Sequence, residues 1–127
     1  MKLKETMMRT GLSADTIRYY EKIGVILSVP RLENGLRDFT EDNLTQLLFV
    51  KQMRQAGVSI ATLKVYTELL RNGVERTMKE RCVLLIKEAK RLDEELAQLQ
   101  QSRNFLQEKI DNYDERIRKS ESKYEEK

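Results

Sequence analysis

The 127-residue sequence contains no histidine and no tryptophan, and it has only one proline and one cysteine. A single thiol cannot form a disulfide within one chain, so a reduced, cytoplasmic setting is expected. The absence of histidine excludes histidine-based catalytic triads and imidazole metal sites. The apolar runs are only a few residues long, which predicts no membrane-spanning helix and no membrane partner. No cofactor or metal is expected.

Charge is distributed unevenly along the chain, although the net charge is only +3. Residues 1–72 contain 11 lysines and arginines against 8 acidic residues, whereas residues 73–127 contain 13 of each. The second segment is rich in Glu, Lys, Arg, Leu and Gln, which is typical of a long helix. Glycine suits the left-handed end of a helix, so we place a boundary near Asn72-Gly73. The sequence therefore predicts one domain over residues 1–72 and a long helix over residues 73–127.

The second segment carries a stripe of residues at alternating steps of four and three, and twelve of the fourteen positions are apolar. This repeat predicts a left-handed coiled coil of about 49 residues. The chain offers no second helix of that length, so a homodimer is expected, although a single solvated helix is the alternative. Arg103 would face its own copy in a parallel pair, which favours an antiparallel pair. The stripe consists of Met78, Cys82, Leu85, Ala89, Leu92, Leu96, Leu99, Arg103, Leu106, Ile110, Tyr113, Ile117, Ser120 and Tyr124.

Start and stop signals divide the first segment into four short helices. Glycine ends the first helix, and serine or threonine N-caps begin the other three. In the third helix, Leu44, Leu47 and Leu48 form one apolar stripe, while Phe49 and Met53 form another, which indicates packing on two sides. The first predicted helix runs from Leu3 to Thr10 and ends at Gly11, and the second runs from Ala14 to Ile23 after the N-cap Ser13. The third follows the N-cap Thr40 and breaks at Gln55-Ala56-Gly57, and the fourth follows the N-cap Ser59.

The second helix has one face suited to duplex DNA. Ile17 and Tyr20 fall on the inward side together with Glu21, and Asp15 falls on the outward side. Arginine can form bidentate bonds to guanine or phosphate, and tyrosine can donate to phosphate. The alternative is that the charges on this face are only solvated. The candidate DNA-binding residues of this helix are Thr16, Arg18, Tyr19 and Lys22.

A hairpin signal follows the second helix. Residues 29–32 and 36–39 flank Glu33-Asn34-Gly35, and an Asn-Gly pair favours a tight hairpin because both residues tolerate a positive φ. The hairpin would place Arg31 and Arg37 on a two-stranded wing beside the second helix. Arginines on such a wing supply affinity through the DNA backbone without reading the sequence.

Three stretches together resemble one known family of proteins. They are Thr16-Ile17-Arg18-Tyr19-Tyr20-Glu21-Lys22-Ile23-Gly24-Val25-Ile26, then Pro30, Arg31, Asn34-Gly35 and Arg37-Asp38-Phe39, then Met53-Arg54-Gln55-Ala56-Gly57-Val58-Ser59-Ile60. With the long C-terminal helix, the chain resembles the MerR family of bacterial transcription regulators over essentially its whole length. It departs from the family pattern at Leu36, where an aromatic residue is usual.

The resemblance implies a mainly α fold, in which a winged helix-turn-helix head with a short β-hairpin wing precedes a long coiled-coil dimerisation helix. It implies that a homodimer binds promoter DNA and distorts a long spacer so that RNA polymerase can engage both promoter elements. By position, Arg18 and Tyr19 would be recognition-helix contacts, and Arg31 and Arg37 would be phosphate contacts of the first wing. Lys64 would lie in the helix pair that forms the second wing.

The sequence indicates the stimulus that such a regulator would sense less clearly than it indicates DNA binding. The chain ends with its coiled coil, so the resemblance implies a short form without an effector domain, similar to the aldehyde- and electrophile-responsive branch. Members of that branch often carry a reactive cysteine in the third helix, but residues 50–54 contain none. Cys82 lies near Lys79, Arg81 and Lys87, and cationic neighbours favour the reactive thiolate form. Cys82 is therefore either a redox or electrophile switch or a small apolar residue of the stripe.

Two other functions remain compatible with the sequence. The chain could be a protein-interaction module dimerised by its coiled coil, or a DNA-binding repressor with no effector. An enzymatic function is not expected, because the sequence has no glycine-rich phosphate loop and no metal-ligand spacing. The densest carboxylates of the head, at Asp38, Glu41 and Asp42, are explained by the start of a helix.

Overall fold

The computed structural model describes residues 1–113, 118–122 and 124, and these residues are mainly α-helical. The chain divides into two compact units, Met1–Glu88 and Ala89–Lys127. The first unit extends past Gly73, and Leu84 and Leu85 line a small cavity together with Phe49 and Tyr66. The helices are α1 (Leu3–Thr10), α2 (Ala14–Ile23), α3 (Glu41–Gln55), α4 (Ile60–Arg71), α5 (Met78–Asp111) and α6 (Arg118–Ser122).

Capping side chains set the starts of α2, α3 and α4, as the sequence predicts. Ser13 and Ser59 each accept a hydrogen bond from the backbone N–H three residues later, which satisfies a donor that the helix leaves unpaired. Thr40 and Asn43 form a reciprocal capping box at the start of α3. Gly11 ends α1 in the left-handed conformation, with a φ of 72°.

The core of the first unit lies where α2, α3 and α4 meet the connecting segment between α2 and α3. Ile17, Leu47 and Leu63 come from the three helices, while Ile26 and Phe39 come from the connection; all five are buried. α1 packs against α2 and α3. The core therefore fixes α1, α2 and the base of the connecting segment against one another.

One apolar residue of α3 is misplaced by the sequence prediction. Leu48 is 43% exposed, whereas Val50 is 1% exposed and takes a place in the core. Successive residues of a helix point about 100° apart. Leu48 is therefore turned away from the buried face that Leu47 and Val50 share, and its apolar character alone does not bury it.

The predicted hairpin is present as a tight turn but not as a two-stranded ribbon. A single antiparallel bridge joins Arg31 and Arg37, and the described residues form no longer strand. Within the turn at residues 33–36, only Gly35 has a positive φ, of 85°. Asn34 does not adopt the expected positive φ because its Oδ1 accepts a hydrogen bond from the Leu36 N–H at 3.1 Å, which stabilises a turn with ordinary backbone angles.

The long helix is shorter than the repeat predicts. α5 ends at Asp111 and α6 begins at Arg118, so the single helix of about 49 residues expected from the heptads is wrong. Asp111, Asn112 and Tyr113 all have low helix propensity, and the Asn112 side chain donates to the Glu108 carbonyl at 2.8 Å. Ile117, a predicted stripe residue, lies outside the described residues.

A contact within the second unit places α6 beside the end of α5. Lys109 Nζ lies 3.4 Å from Glu121 Oε2. In one continuous helix these residues would be about 18 Å apart along the axis, at 1.5 Å per residue. α6 therefore lies beside the last turns of α5 and does not extend them.

Candidate nucleic-acid interface

The outward face of α2 carries the residues that the sequence singles out. The Ser13 hydroxyl accepts from the Thr16 N–H at 3.1 Å and donates to Thr16 Oγ1 at 2.9 Å, which fixes the first turn. Arg18, Tyr19 and Lys22 are exposed. Half of the Arg18 side chain and 51% of Tyr19 are accessible. The face thus presents one guanidinium, one phenol and one ammonium group to solvent.

Arg18 is only loosely held within the chain. Its Nη1 lies 3.5 Å from Asp15 Oδ1, and the Asp15 side chain is 98% exposed. Exposed pairs of this kind contribute little, typically between about 0 and 1 kcal/mol. The Arg18 guanidinium can therefore exchange Asp15 for a stronger anionic partner at small cost.

Glu21 joins α2 to the hairpin. Its Oε1 accepts from Arg37 Nε at 2.6 Å and lies 3.7 Å from an Arg31 terminal nitrogen. Its Oε2 accepts from the Val29 N–H at 2.9 Å. The Glu21 side chain is only 13% exposed. One carboxylate thus fixes both arginines of the hairpin and the backbone at its base.

These contacts determine the charge state of Glu21. Burial alone would raise the pKa of Glu21. The hydrogen bonds from Arg37 and Val29 and the positive charges of Arg37 and Arg31 outweigh burial, so the pKa lies below its ordinary value. The carboxylate is therefore ionised at neutral pH, and it remains a partner for the hairpin arginines.

The two hairpin arginines differ in how much of each side chain solvent can reach. Arg37 is 22% exposed and Arg31 is 48% exposed. Arg31 Nη1 also donates to the Gly35 carbonyl at 3.3 Å. Within the part of the chain that the structure describes, the terminal nitrogens of Arg37 have no hydrogen-bond partner. Both side chains are thus oriented by Glu21 while some of their donors remain unused.

Arg18, Arg31 and Arg37 meet in one cleft of about 370 Å³ between α1, α2 and the hairpin. We call it the basic cleft. Lys2 and Lys4 also line it, and its apolar walls include Leu3, Met7 and Leu36. Of the seven predicted DNA-binding residues, three therefore lie together. Thr16, Tyr19 and Lys22 share α2 with Arg18 but do not line the basic cleft.

Lys64 lies apart from the basic cleft. It is exposed on α4 and borders a shallow hollow with Gly24, at the end of α2. Two contacts hold α4 to this end of α2: Thr67 Oγ1 donates to the Val25 carbonyl at 2.7 Å, and Arg71 donates to the Ile26 carbonyl at 3.1 Å. The position of Lys64 relative to α2 is thereby fixed, although the two predicted sites are separate.

Cys82 is a free, exposed cysteine on α5. Its neighbour Arg81 donates from Nε to Thr77 Oγ1 at 3.1 Å, and the Arg81 guanidinium lies 6.0 Å from the Tyr66 ring centre.

Among residues 1–113, 118–122 and 124, no group of histidine, cysteine or acidic residues could hold a metal ion. No helix of this part of the chain is long and apolar enough to cross a membrane.

The sequence motifs indicate no role for three residues of this site: Glu21, Lys2 and Lys4. Glu21 falls on the inward face of α2, and a carboxylate placed there needs cationic or N–H partners. The inward position of this glutamate is therefore the feature of the sequence that could have indicated its role. Lys2 is the N-cap of α1, and a lysine cannot accept the hydrogen bond that this position usually supplies.

The chain is similar to known helix-turn-helix regulators. Residues 1–70 match the family described as "MerR HTH family regulatory protein". The transcriptional regulator AdhR of Bacillus subtilis is 40% identical over 94 residues, which are 74% of this chain and 66% of AdhR. The regulator YfmP of the same organism is 31% identical over 123 residues, which are 96% of this chain and 84% of YfmP.

Two solved structures are similar to this chain in both fold and sequence. A protein from Listeria monocytogenes, described as a MerR family transcriptional regulator, has a TM-score of 0.85 and 40% identity, covering 98% of this chain and 93% of that one. HiNmlR, described as a MerR family regulator that lacks the sensor domain and is bound to promoter DNA, has a TM-score of 0.74 and 30% identity, covering 85% of each chain.

Replacing Glu21 should destabilise the fold in a pH-dependent way. We expect Glu21→Ala to lower the free energy of unfolding by about 1–3 kcal/mol at pH 7, because the Val29 N–H and the Arg37 guanidinium lose their partner. Glu21→Gln, which can still accept from Val29, should cost less. Urea unfolding followed by circular dichroism measures both. Glu33→Ala, at the exposed tip of the hairpin, is the control and should change stability by less than about 0.5 kcal/mol.

The sign of the pH effect follows from the lowered pKa of Glu21. The folded state holds this proton more weakly than the unfolded state, so the stabilisation is present above the ordinary pKa of a glutamate. It is lost as the pH falls through the lowered value in the fold. The stability difference between the native chain and Glu21→Ala should therefore shrink in acid, and a constant difference from neutral to acid pH would contradict the assignment.

Proposed function

The chain belongs to the MerR family of helix-turn-helix regulatory proteins, and we propose that it binds promoter DNA as a homodimer and distorts the promoter spacer in response to a stress signal. It is a transcriptional regulator of this family rather than an enzyme. We assign DNA binding to residues 1–72 and dimerisation to residues 73–127. The partner that uses the distorted promoter is RNA polymerase.

The observation that carries the DNA-binding proposal is the convergence of Arg18, Arg31 and Arg37 on one cleft beside the exposed face of α2. An exposed helix that carries Arg and Tyr can lie in the major groove, where arginine reads guanine. Hairpin arginines beside it reach the flanking backbone. That a similar regulator, HiNmlR, is described as bound to promoter DNA supports the same role for this chain.

The surface of α5 supports the homodimer. Leu96, Leu99, Leu106 and Ile110 belong to the predicted stripe, and each is at least 59% exposed in the single chain. A contiguous apolar stripe of this kind marks an interaction surface, and its heptad spacing suits a second α-helix. We propose that a second copy of α5 covers the stripe in antiparallel orientation, which keeps the two Arg103 side chains apart.

Two heads joined by one dimer could change the shape of DNA. The spacing between the heads is then set by protein, whereas the spacing between two half-sites is set by the twist of the duplex. If the two spacings differ, binding must bend or untwist the DNA, and the contacts of both heads supply the deformation energy. A signal that alters the dimer would alter this distortion and the access of RNA polymerase.

DNA binding should depend on Arg18 and on salt. We expect the chain to bind a duplex of its own upstream promoter region, with an affinity that falls steeply as salt rises because phosphate contacts release counterions. Arg18→Ala should weaken binding by about 1–3 kcal/mol if Arg18 contacts a base. Fluorescence anisotropy measures both, with Arg118→Ala in α6 as the matched control. If Arg18→Ala bound as well as the control and salt had no effect, the protein-interaction module would be favoured.

The oligomeric state should depend on the stripe of α5. We expect the native chain to sediment as a dimer at micromolar concentration, and Leu96→Glu/Leu99→Glu to sediment as a monomer because the pair would have to bury charged carboxylates in an apolar interface. Ala97→Glu/Gln101→Glu adds the same charge on the opposite side of α5 and should remain a dimer. A monomeric native chain, or equal effects of the two variants, would refute the proposed dimer.

Cys82 carries the proposed response to an oxidant or electrophile, because it is the only thiol of the chain and it is exposed. We expect Cys82→Ser to bind promoter DNA normally and to abolish induction of a promoter reporter by diamide or methylglyoxal. The native chain provides the reference in the same cells. Unchanged induction would leave Cys82 as a residue of the stripe and would favour a repressor without a thiol effector.

A further inference from the structure

We infer that the basic cleft holds phosphodiester groups of the DNA backbone beside the groove that α2 enters, and that Lys2 and Lys4 of α1 bind these groups. This inference rests on the proposed DNA-binding function. It adds a third element, the start of α1, to the helix and hairpin that the sequence motif indicates. The ligand chemistry is that of a doubly esterified phosphate carried on a duplex.

Positive charge in the basic cleft exceeds the negative charge that balances it. Five cationic side chains line the basic cleft, and no carboxylate lines it. Glu21 pairs with both hairpin arginines and Asp15 pairs loosely with Arg18. Lys2 and Lys4 form no ion pair with any residue that the structure describes. The excess charge raises the energy of the free protein by self-repulsion, and an anion in the basic cleft relieves that repulsion.

Helix stability does not explain the two lysines. Lys2 is the N-cap of α1 and makes no side-chain capping bond, and Lys4 follows in the first turn. The positive end of a helix disfavours cations by about 0.3–1 kcal/mol each. The other three helices of the head begin with Ser13, Thr40 or Ser59, each of which forms a capping bond. Both lysines are therefore unfavourable at the start of a helix, whereas the other three helices of the head begin with favourable capping residues.

The walls of the basic cleft strengthen its attraction for an anion. Leu3, Met7 and Leu36 lie among the charged groups. Apolar walls exclude water from one side of each cation, so the field inside is screened less than on an open surface. The long stems of Lys2 and Lys4 can lie along these walls while their ammonium groups remain accessible.

Arg18 connects the basic cleft to the proposed recognition surface. It lines the basic cleft, and it also belongs to the exposed face of α2 that carries Tyr19 and Lys22. A duplex placed against that face brings its sugar–phosphate backbone to the mouth of the basic cleft. A polymeric backbone therefore fits the arrangement better than an isolated small anion, because it engages the α2 face and the cleft together.

The test compares charge removal inside and outside the basic cleft. We would measure binding of a short fluorescein-labelled duplex of mixed sequence between about 50 and 200 mM KCl, where the DNA backbone dominates binding. Lys2→Gln/Lys4→Gln should lower the slope of log affinity against log salt by about 0.9 for each phosphate that the variant no longer neutralises. It should weaken binding by about tenfold at an intermediate salt concentration. Lys87→Gln/Lys90→Gln, exposed on α5, removes the same charge and should have a smaller effect.

A structural role for the lysines would give a different result. Because Lys2 and Lys4 repel their neighbours in the free protein, Lys2→Gln/Lys4→Gln should melt at or above the temperature of the native chain while binding DNA more weakly. Equal weakening in the Lys87/Lys90 variant, or unchanged binding and slope, would overturn the inference. If the native chain failed to bind both this duplex and its promoter duplex, the proposed function would fail. If the native chain bound and the lysine variant bound equally well, only the inference about Lys2 and Lys4 would fail.

Discussion

The position of the hairpin depends on the Glu21 carboxylate, which is bonded to Arg37 and to the Val29 backbone and lies close to Arg31. The hairpin has one backbone bridge and no sheet to support it, and an isolated hairpin is marginally stable at best in water. Its orientation therefore comes from contacts with α2 and with Met1, whose ammonium group donates to Asp38 Oδ1 and whose carbonyl accepts from the Phe39 N–H. Since α2 also carries Arg18, one ionised side chain holds the elements of the proposed DNA surface in a fixed relation.

Basic residues of the head perform two different physical tasks that composition cannot separate. Lys51 donates to the Thr10 carbonyl at 2.7 Å and so closes the C-terminal end of α1. Arg71 donates to the Ile26 carbonyl and so holds the backbone that follows α2. Lys2 and Lys4 satisfy no carbonyl that the structure describes. The 24 lysines and arginines of the sequence thus include cations already used by the fold and cations left for a partner, which the net charge of +3 does not separate, and only the second group bears on DNA binding.

Short-range signals in the sequence predict the helices well because each signal acts within a few residues. Ser13, Thr40 and Ser59 bind the N–H groups of their own helices, so helix bounds follow from local chemistry alone. The conformation at Asn34 and the end of α5 at Asp111 are harder to predict, because two local preferences compete at each. Asn34 can take a positive φ or bond Leu36, and the heptads continue past the low-propensity residues that end the helix.

The candidate site is less predictable than the helices, because it depends on residues that are distant in sequence. The pairing of Glu21 with Arg37 spans 16 residues. The approach of Lys2 to Arg18 and Arg37 depends on how α1 packs against α2, which the motif does not encode. Face assignments at 100° per residue placed Arg18 and Tyr19 outward correctly, yet they give no reason for Lys2.

Two features of this chain oppose its own stability as an isolated molecule. The basic cleft concentrates like charges, and α5 exposes Leu99 and Ile110 to water. Native sequences violate local rules chiefly at functional sites, and under the proposed function each violation here is relieved by a different partner: anionic backbone in the basic cleft and a second apolar stripe on α5. The proposed dimer doubles the number of basic clefts that face one duplex, so it would raise DNA affinity through effective concentration while the chemistry of each cleft stays the same. Both unfavourable features would be relieved in that proposed assembly, and DNA binding would then depend on a surface that never touches DNA.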